Sequence, residues 1–186
     1  MKYAVRCWTS QVPTFVVGHY VFHVAENQPA GSHVGSVSAV DRDAPPRDQF
    51  VYVIDSPLTS FQMDAESGRL STTKALDREQ YAVYQLTVSA RALRNRSLVN
   101  QADSRSRAAV TIYVNDANDN RPVFTFPRPG NDTLVIAGDV IDWITKFTRP
   151  KPRVRAYDLD RGVNGIIQYS IVAGNGSRHI RVVNAL

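Results

Sequence analysis

Two copies of one sequence pattern meet at the stretch Asp116-Ala117-Asn118-Asp119-Asn120-Arg121-Pro122. Three short motifs occur once on each side of it, at offsets of 109 or 117 positions: Pro13-Thr14-Phe15 and Pro122-Val123-Phe124, Ala39-Val40-Asp41-Arg42-Asp43 and Ala156-Tyr157-Asp158-Leu159-Asp160, and Tyr52-Val53-Ile54 and Tyr169-Ser170-Ile171. A period of roughly 110 residues is too long for a solenoid unit and indicates whole domains in tandem.

Short runs with a hydrophobic period of two fill the first copy, and they are rich in β-branched and aromatic residues. The runs span 20–24, 34–40, 50–54, 84–89 and 109–114, each bounded by Gly, Pro, Asp or Asn. About seven such strands at regular spacing predict an all-β fold, a seven-stranded Greek-key β-sandwich. A helix signal is nearly absent, and only the stretch 74–84 is compatible with a helical turn or two.

The two copies differ in length, which sets the expected domain organisation. We expect an N-terminal segment at 1–12, a first repeat at 13–120 and a partial second repeat at 121–186. The second copy has about 65 residues where the first has about 110, so its later strands are expected to be missing. We expect the rest of that domain downstream in a longer protein, because half a sandwich exposes apolar edges.

Composition excludes several classes of protein. Of the 186 residues, 43% are hydrophobic, which is enough for a core, and no apolar run is long enough to span a membrane. A net charge of +5 comes with two basic stretches, 91–107 and 149–155, but these lack the aromatic interleaving of a nucleic-acid platform. They are interpreted as solvated faces, and no nucleic-acid partner is expected.

An enzyme is not expected either. The sequence has no recognisable Ser-His-Asp set, nucleophile elbow or Gly-rich phosphate loop. The single Cys7 cannot form an internal disulfide. Three N-x-Ser/Thr sequons predict a glycoprotein outside the cell, with candidate acceptors at Asn95, Asn131 and Asn175.

Acidic side chains gather around the junction between the two copies. They are Glu26, Asp77, Glu79, Asp116 and Asp119 from the first copy, and Asp158 and Asp160 from the second. Carboxylates placed a few ångströms apart repel one another, so cations are needed to hold them together. Zinc is not expected, because it prefers His or thiolate donors and these show no ligand spacing here. A helix-loop-helix calcium site is not expected either, because its loop motif is missing. The donors therefore indicate a calcium site between two domains.

Five motifs in series carry a family resemblance. In chain order they are Ala25-Glu26-Asn27, Asp41-Arg42-Asp43, Leu76-Asp77-Arg78-Glu79, Asp116-Ala117-Asn118-Asp119-Asn120-Arg121-Pro122 and Asp158-Leu159-Asp160-Arg161-Gly162-Val163-Asn164-Gly165. Over nearly its whole length the chain resembles consecutive extracellular cadherin repeats, those of the long Fat, Dachsous and protocadherin types above all. The resemblance implies sandwich domains joined end to end by linkers that each hold up to three calcium ions.

The resemblance also implies a ligand set. Two ions would be bound by Glu26, Asp77, Glu79, Asp119 and the backbone carbonyl of Ala117. The third would be bound by Asn118, Asn120, Asp158, Asp160 and the backbone of Asn164, with Asp160 reaching two ions. Asp116 belongs to the motif, and its role as a direct ligand is left open.

The function implied by the resemblance is calcium-dependent cell-cell adhesion at the extracellular face of the plasma membrane. The partner would be a cadherin-type protein on an opposing cell, bound homophilically or heterophilically, with membrane anchoring through segments absent from this sequence. The alternative is a calcium-stiffened spacer of a large signalling or mechanosensory receptor. A third hypothesis is a heparin-binding surface that uses the two arginine-rich stretches.

Overall fold

A computed structural model describes residues 13–41, 50–56, 60–94, 97–98, 106–126 and 154–170. The chain divides into two compact units, Met1–Asp116 and Ala117–Leu186. The described elements are strands, as the hydrophobic pattern predicts. In the first unit they are β1 (Thr14–Phe15), β2 (His19–Ala25), β3 (His33–Ser36), β4 (Ala39–Val40), β5 (Phe50–Ile54), β6 (Phe61–Met63), β7 (Arg69–Thr72), β8 (Val83–Arg94), β9 (Ser97–Leu98) and β10 (Arg107–Asn115).

The first unit is a β-sandwich. One sheet has the order β2-β10-β8-β5, with β9 paired to β8, and its β2–β10 pair is parallel while its other pairs are antiparallel. The other strands form the antiparallel sheet β3-β7-β6 and the antiparallel pair β1–β4. Strands that are neighbours in space but distant in sequence bring the ends of β2 and β10 together, and these ends position the candidate site.

Strand β10 illustrates why the sequence forms this core. Its side chains alternate, with Ala108, Val110, Ile112 and Val114 buried and the residues between them more exposed. Apolar side chains from the other strands and from the segments that connect them complete the core, among them Phe15, Val24, Val34, Val37, Tyr52, Phe61, Leu70, Leu76, Leu86 and Val88. The all-β prediction is confirmed. The run 34–40 is divided into β3 and β4, and β1, β6 and β7 were not among the predicted runs.

Gly35 on β3 allows the two layers to approach closely. A Cβ atom added at Gly35 would collide with the ring of Phe22, which packs against the core from β2. A glycine is therefore required here by the space that the aromatic ring occupies.

The second unit repeats a corner of the first. Its described strands, β11 (Val123–Phe126) and β12 (Arg155–Tyr157), pair antiparallel. The backbone N–H of Ala156 donates to the Tyr169 hydroxyl at 2.8 Å, as that of Ala39 donates to the Tyr52 hydroxyl at 2.9 Å in the first unit. Ala39 and Ala156 are 117 positions apart, and so are Tyr52 and Tyr169. This is the offset that the repeated motifs predict.

Within the described ranges, no helix is both long and apolar enough to cross a membrane. The three glycosylation candidates, Asn95, Asn131 and Asn175, lie outside the described residues. The predicted repeat boundaries at 13–120 and 121–186 stay predictions.

Candidate metal centre

Glu26 is fixed at the end of β2 by backbone hydrogen bonds to two other segments. Its own N–H donates to the carbonyl of Asn115 at 3.1 Å, and the N–H of Asn27 donates to the carbonyl of Leu76 at 3.0 Å. Asn27 adopts the left-handed conformation, with φ of 60°, which turns the chain directly after the glutamate. The Glu26 side chain is only 1% exposed, and its Oε2 accepts a hydrogen bond of 2.8 Å from the backbone N–H of Arg78.

Asp77 is oriented by a single helical turn. The N–H of Tyr81 donates to the Asp77 carbonyl at 3.0 Å, so the stretch 74–84 contains one turn of the predicted kind. Oδ1 of Asp77 accepts the backbone N–H of Gln80 at 3.0 Å, as an N-cap does, and Oδ2 accepts the Gln80 side-chain amide at 2.6 Å. Gln80 therefore holds both oxygens of this carboxylate, a role that the sequence did not reveal.

These two carboxylates and Glu79 converge in the first unit. One carboxylate oxygen from each of Glu26, Asp77 and Glu79 lies within 4.8 Å of the other two. The donors are all carboxylate oxygens, the ligand type that suits calcium and magnesium, whereas zinc prefers nitrogen and sulfur. Because calcium accepts six to eight oxygens, three carboxylates would supply about half of its coordination, so this group fits the predicted ion.

Arg78 lies inside this acidic group. Its Nη2 donates to Oε1 of Glu79 at 2.6 Å, and its Nε forms an ion pair with Oδ1 of Asp116. The arginine side chain is 7% exposed, and those of Glu79 and Asp116 are 17% and 16% exposed. The sequence reasoning assigned Arg78 no role, although a basic residue between two predicted ligands was a visible signal.

A second group of oxygen donors lies in the second unit. Asp160 is 6% exposed and accepts two hydrogen bonds from Asn120, one from the backbone N–H at 3.3 Å and one from the side-chain amide at 2.7 Å. The same amide donates to Asp119 at 2.7 Å, and the N–H of Asp160 donates to Asp158 at 3.0 Å. The linker motif and the Asp-Leu-Asp motif are therefore adjacent within this unit.

The chain after Asp160 folds back on it. Gly162 has φ of 59°, and the N–H of Asn164 donates to the carbonyl of Arg161 at 3.2 Å. A Cβ at Gly165 would collide with the Asp160 carbonyl, so a glycine is needed for the tight loop. The predicted ligand Asn164 lies in this loop, four residues after Asp160.

The predicted ligands thus divide between the units. Glu26, Asp77, Glu79 and Asp116 lie in the first, and Ala117, Asn118, Asp119, Asn120, Asp158, Asp160 and Asn164 lie in the second. The Ala117 carbonyl accepts the N–H of Asp119 at 2.9 Å, and Asn118 is exposed. A calcium site shared by both units stays a prediction.

Comparison with known proteins identifies relatives of the chain. The family model described as "Cadherin domain" matches residues 20–115. Mouse Protocadherin Fat 4 is 34% identical over 176 residues, which is 91% of this chain and 3% of that protein. Human Protocadherin alpha-2 is 31% identical over 175 residues, which is 90% of this chain and 18% of that protein. The chain therefore spans a small part of the length of these curated relatives.

Solved structures agree with the sequence comparison. The crystal structure of the Protocadherin GammaB4 extracellular domain has a TM-score of 0.64 and 30% sequence identity, and the match covers 83% of this chain and 25% of that one. A structure of human Protocadherin-24 EC1-2 has a TM-score of 0.61 at 24% identity, which supports the fold alone.

Proposed function

The chain belongs to the cadherin family, and from that premise we propose that it is part of an extracellular region that mediates calcium-dependent cell-cell adhesion. The resemblance to cadherin repeats implies calcium binding and adhesion rather than catalysis, and the matching family model and solved structures are those of cadherins. We propose that calcium stiffens the junction between the repeat at 13–120 and the partial repeat at 121–186.

One observation carries the calcium proposal. The carboxylates of Glu26, Asp77 and Glu79 converge within 4.8 Å although they come from two segments that are fifty residues apart. Three like charges at this separation destabilise the fold unless a cation neutralises them. A cluster of this kind is expected where a divalent ion belongs to the working state of the protein.

The rest of the proposed site is carried over from the family resemblance. Asp116 and the linker residues Ala117–Asn120 would join the first group of ligands to Asp158, Asp160 and Asn164, with up to three ions bound. In support, Asn120 and Asp160 are hydrogen-bonded within the second unit. When bound, calcium neutralises these carboxylates and restricts the junction. The chain's own residues orient the ligands, because Gln80 donates to Asp77 and Asn120 donates to Asp160.

The proposed setting is the extracellular face of the plasma membrane, where calcium is millimolar. Extracellular calcium modules have dissociation constants of roughly 10⁻⁴ to 10⁻³ M, so such a site is filled outside the cell and empty in the cytosol. A stiff rod of repeats can present its outer surface to a cadherin-type partner on an opposing cell. Membrane anchoring would come from other segments of the full-length protein.

Calcium titration with small-angle X-ray scattering tests the stiffening. We expect the spread of inter-repeat distances to narrow as calcium rises through roughly 10⁻⁴ to 10⁻³ M. The Asp119→Ala variant should need about tenfold more calcium, a loss of about 1.4 kcal/mol, while its first repeat unfolds as the wild type does. Glu66→Gln is the matched control, because it removes one negative charge from an exposed turn of the first unit. Absence of narrowing at several millimolar calcium, or an equal effect of both variants, contradicts the proposal.

A bead-aggregation assay separates adhesion from the alternative of a calcium-stiffened spacer. Beads coated with the two complete repeats should cluster in calcium and disperse in chelator. Beads that stay dispersed although scattering shows calcium stiffening would favour the spacer. Retention on heparin that weakens with salt would instead support the arginine-rich surface.

A further inference from the structure

Arg78 contacts Glu26 and Glu79 of the acidic group, and also Asp116, through two different parts of the residue. Its guanidinium contacts Glu79 and Asp116, and its backbone N–H donates to Glu26. These acidic residues come from the end of β2, the turn after Leu76 and the segment after β10. One residue therefore holds together the three segments that build the first unit's part of the site.

The charge of Arg78 is permanent and independent of calcium. A guanidinium stays protonated at every pH that proteins experience, and it holds carboxylates in a fixed fork geometry. At 7% exposure, water screens this charge little. Removing one member of a buried ion pair leaves the other charge uncompensated, and this is strongly destabilising. When calcium is absent, Arg78 still places a positive charge against Glu79 and Asp116.

We propose that Arg78 is an internal counter-cation that keeps the calcium-binding carboxylates in position when calcium is absent, at the cost of weaker calcium binding. It is a positioning residue and not itself a ligand. The inference rests on the proposed function, since it assumes that calcium binds to the same carboxylates. Arginine and calcium then neutralise one set of charges, so each makes the other less necessary.

By thermodynamic linkage, the proposal predicts that the loss of Arg78 strengthens calcium binding. If the loss of Arg78 destabilises the calcium-free domain more than the calcium-bound domain, the variant must bind calcium more tightly than the wild type. A residue with a purely structural role would lower stability equally in both states. A residue that only prepares the ligands for calcium would weaken binding when it is lost.

The experiment compares the thermal unfolding midpoint of the whole chain in chelator and in saturating calcium. For Arg78→Gln we expect a drop of about 10 °C in chelator and less than half of that in calcium. A calcium titration followed by calorimetry should give a half-saturation about fivefold lower than that of the wild type. Equal drops in both conditions, or weaker calcium binding, would overturn the proposal.

Arg91→Gln is the matched control. Nη2 of Arg91 forms an ion pair of 2.6 Å with Asp55, which Arg107 also approaches, at 3.6 Å. Arg107 begins β10, and Asp116 follows the end of β10, so the two ion-pair groups are about 30 Å apart along the strand. The Arg91 variant should lose the same number of degrees with and without calcium.

Arg78→Lys keeps the experiment informative if the glutamine variant does not fold. A lysine keeps the charge but cannot contact two carboxylates with one planar fork. We expect a calcium-dependent drop in the same direction, of about half the size. Two failures are distinguishable: a wild type whose midpoint ignores calcium contradicts the proposed function as well, whereas a calcium-stabilised wild type with calcium-independent Arg78 variants contradicts this inference alone.

Discussion

The two units build the same corner from the same residue types. In each, a tyrosine hydroxyl accepts the backbone N–H of an alanine thirteen residues earlier in the sequence. Each tyrosine ring also packs on a phenylalanine of the strand that pairs with the alanine's strand, with ring centroids 6.1 Å apart for Phe15 and Tyr52 and 6.2 Å apart for Phe124 and Tyr169. Phe15 pairs with Ala39 across its strands as Phe124 pairs with Ala156.

The corners differ in how far they are buried. Phe15 is 7% exposed and belongs to the core of the first unit, whereas Phe124 is 48% exposed. The shared geometry depends on alanine, tyrosine and phenylalanine residues that recur in both copies, so it forms in both units. Burial of the phenylalanine depends on what packs over the corner. The comparison therefore separates what the repeated residues determine from what further packing adds.

Truncation of the phenylalanine should have the largest effect. Phe15→Ala should lower the free energy of unfolding by about 3–5 kcal/mol, because a buried aromatic ring leaves a cavity. Phe124→Ala should cost about 1–2 kcal/mol, since half of that side chain already contacts solvent. Hydrogen exchange of the Ala39 and Ala156 amides, measured by NMR, reports the stability of each corner separately. Equal losses at the two corners would show that the difference in burial is unimportant.

Removal of the tyrosine hydroxyl should have a smaller effect. Tyr52→Phe leaves the buried N–H of Ala39 without its acceptor, which should cost about 1–3 kcal/mol. At the partly buried Ala156, water can replace the lost acceptor, so Tyr169→Phe should cost about 0.5–1 kcal/mol. Faster exchange of the Ala39 amide in the first variant than of the Ala156 amide in the second supports this order. The predicted order is wrong if Tyr169→Phe accelerates exchange of the Ala156 amide more than Tyr52→Phe accelerates exchange of the Ala39 amide.

Much of this fold could be predicted from the sequence because its signals are local. The strict alternation along β10 identifies a half-buried strand, and the repeated Ala and Tyr identify the second copy. Short strands escaped prediction for the same reason. β1 has two residues and β6 has three, too few for a period of two to be visible. Their pairing is decided by tertiary contacts rather than by their own pattern.

The candidate site was predictable only in part. The acidic group of the first unit could be anticipated, because carboxylates that are expected to lie close together require a cation, and Glu26, Asp77 and Glu79 do converge. The residues that orient them could not, since Gln80 and Arg78 act through contacts that depend on the turn at Asp77. Charge patterns indicate which ion a site could hold, whereas hydrogen-bond partners become visible only when the backbone is folded.

Protonation of Asp64 should have the smallest effect and should act on its own turn in the first unit. Asp64 lies in the turn between β6 and β7, where hydrogen bonds from the Ser67 side chain and backbone hold its pKa below the usual 3.8. Because the folded pKa is lowered, the stabilisation is present above pH 3.8 and is lost as the pH falls through the lowered value. An NMR titration should show the Ser67 amide resonance shifting below about pH 4 in the wild type and staying constant in Asp64→Asn. Movement of the Ser67 amide in the asparagine variant would show that another group controls the turn.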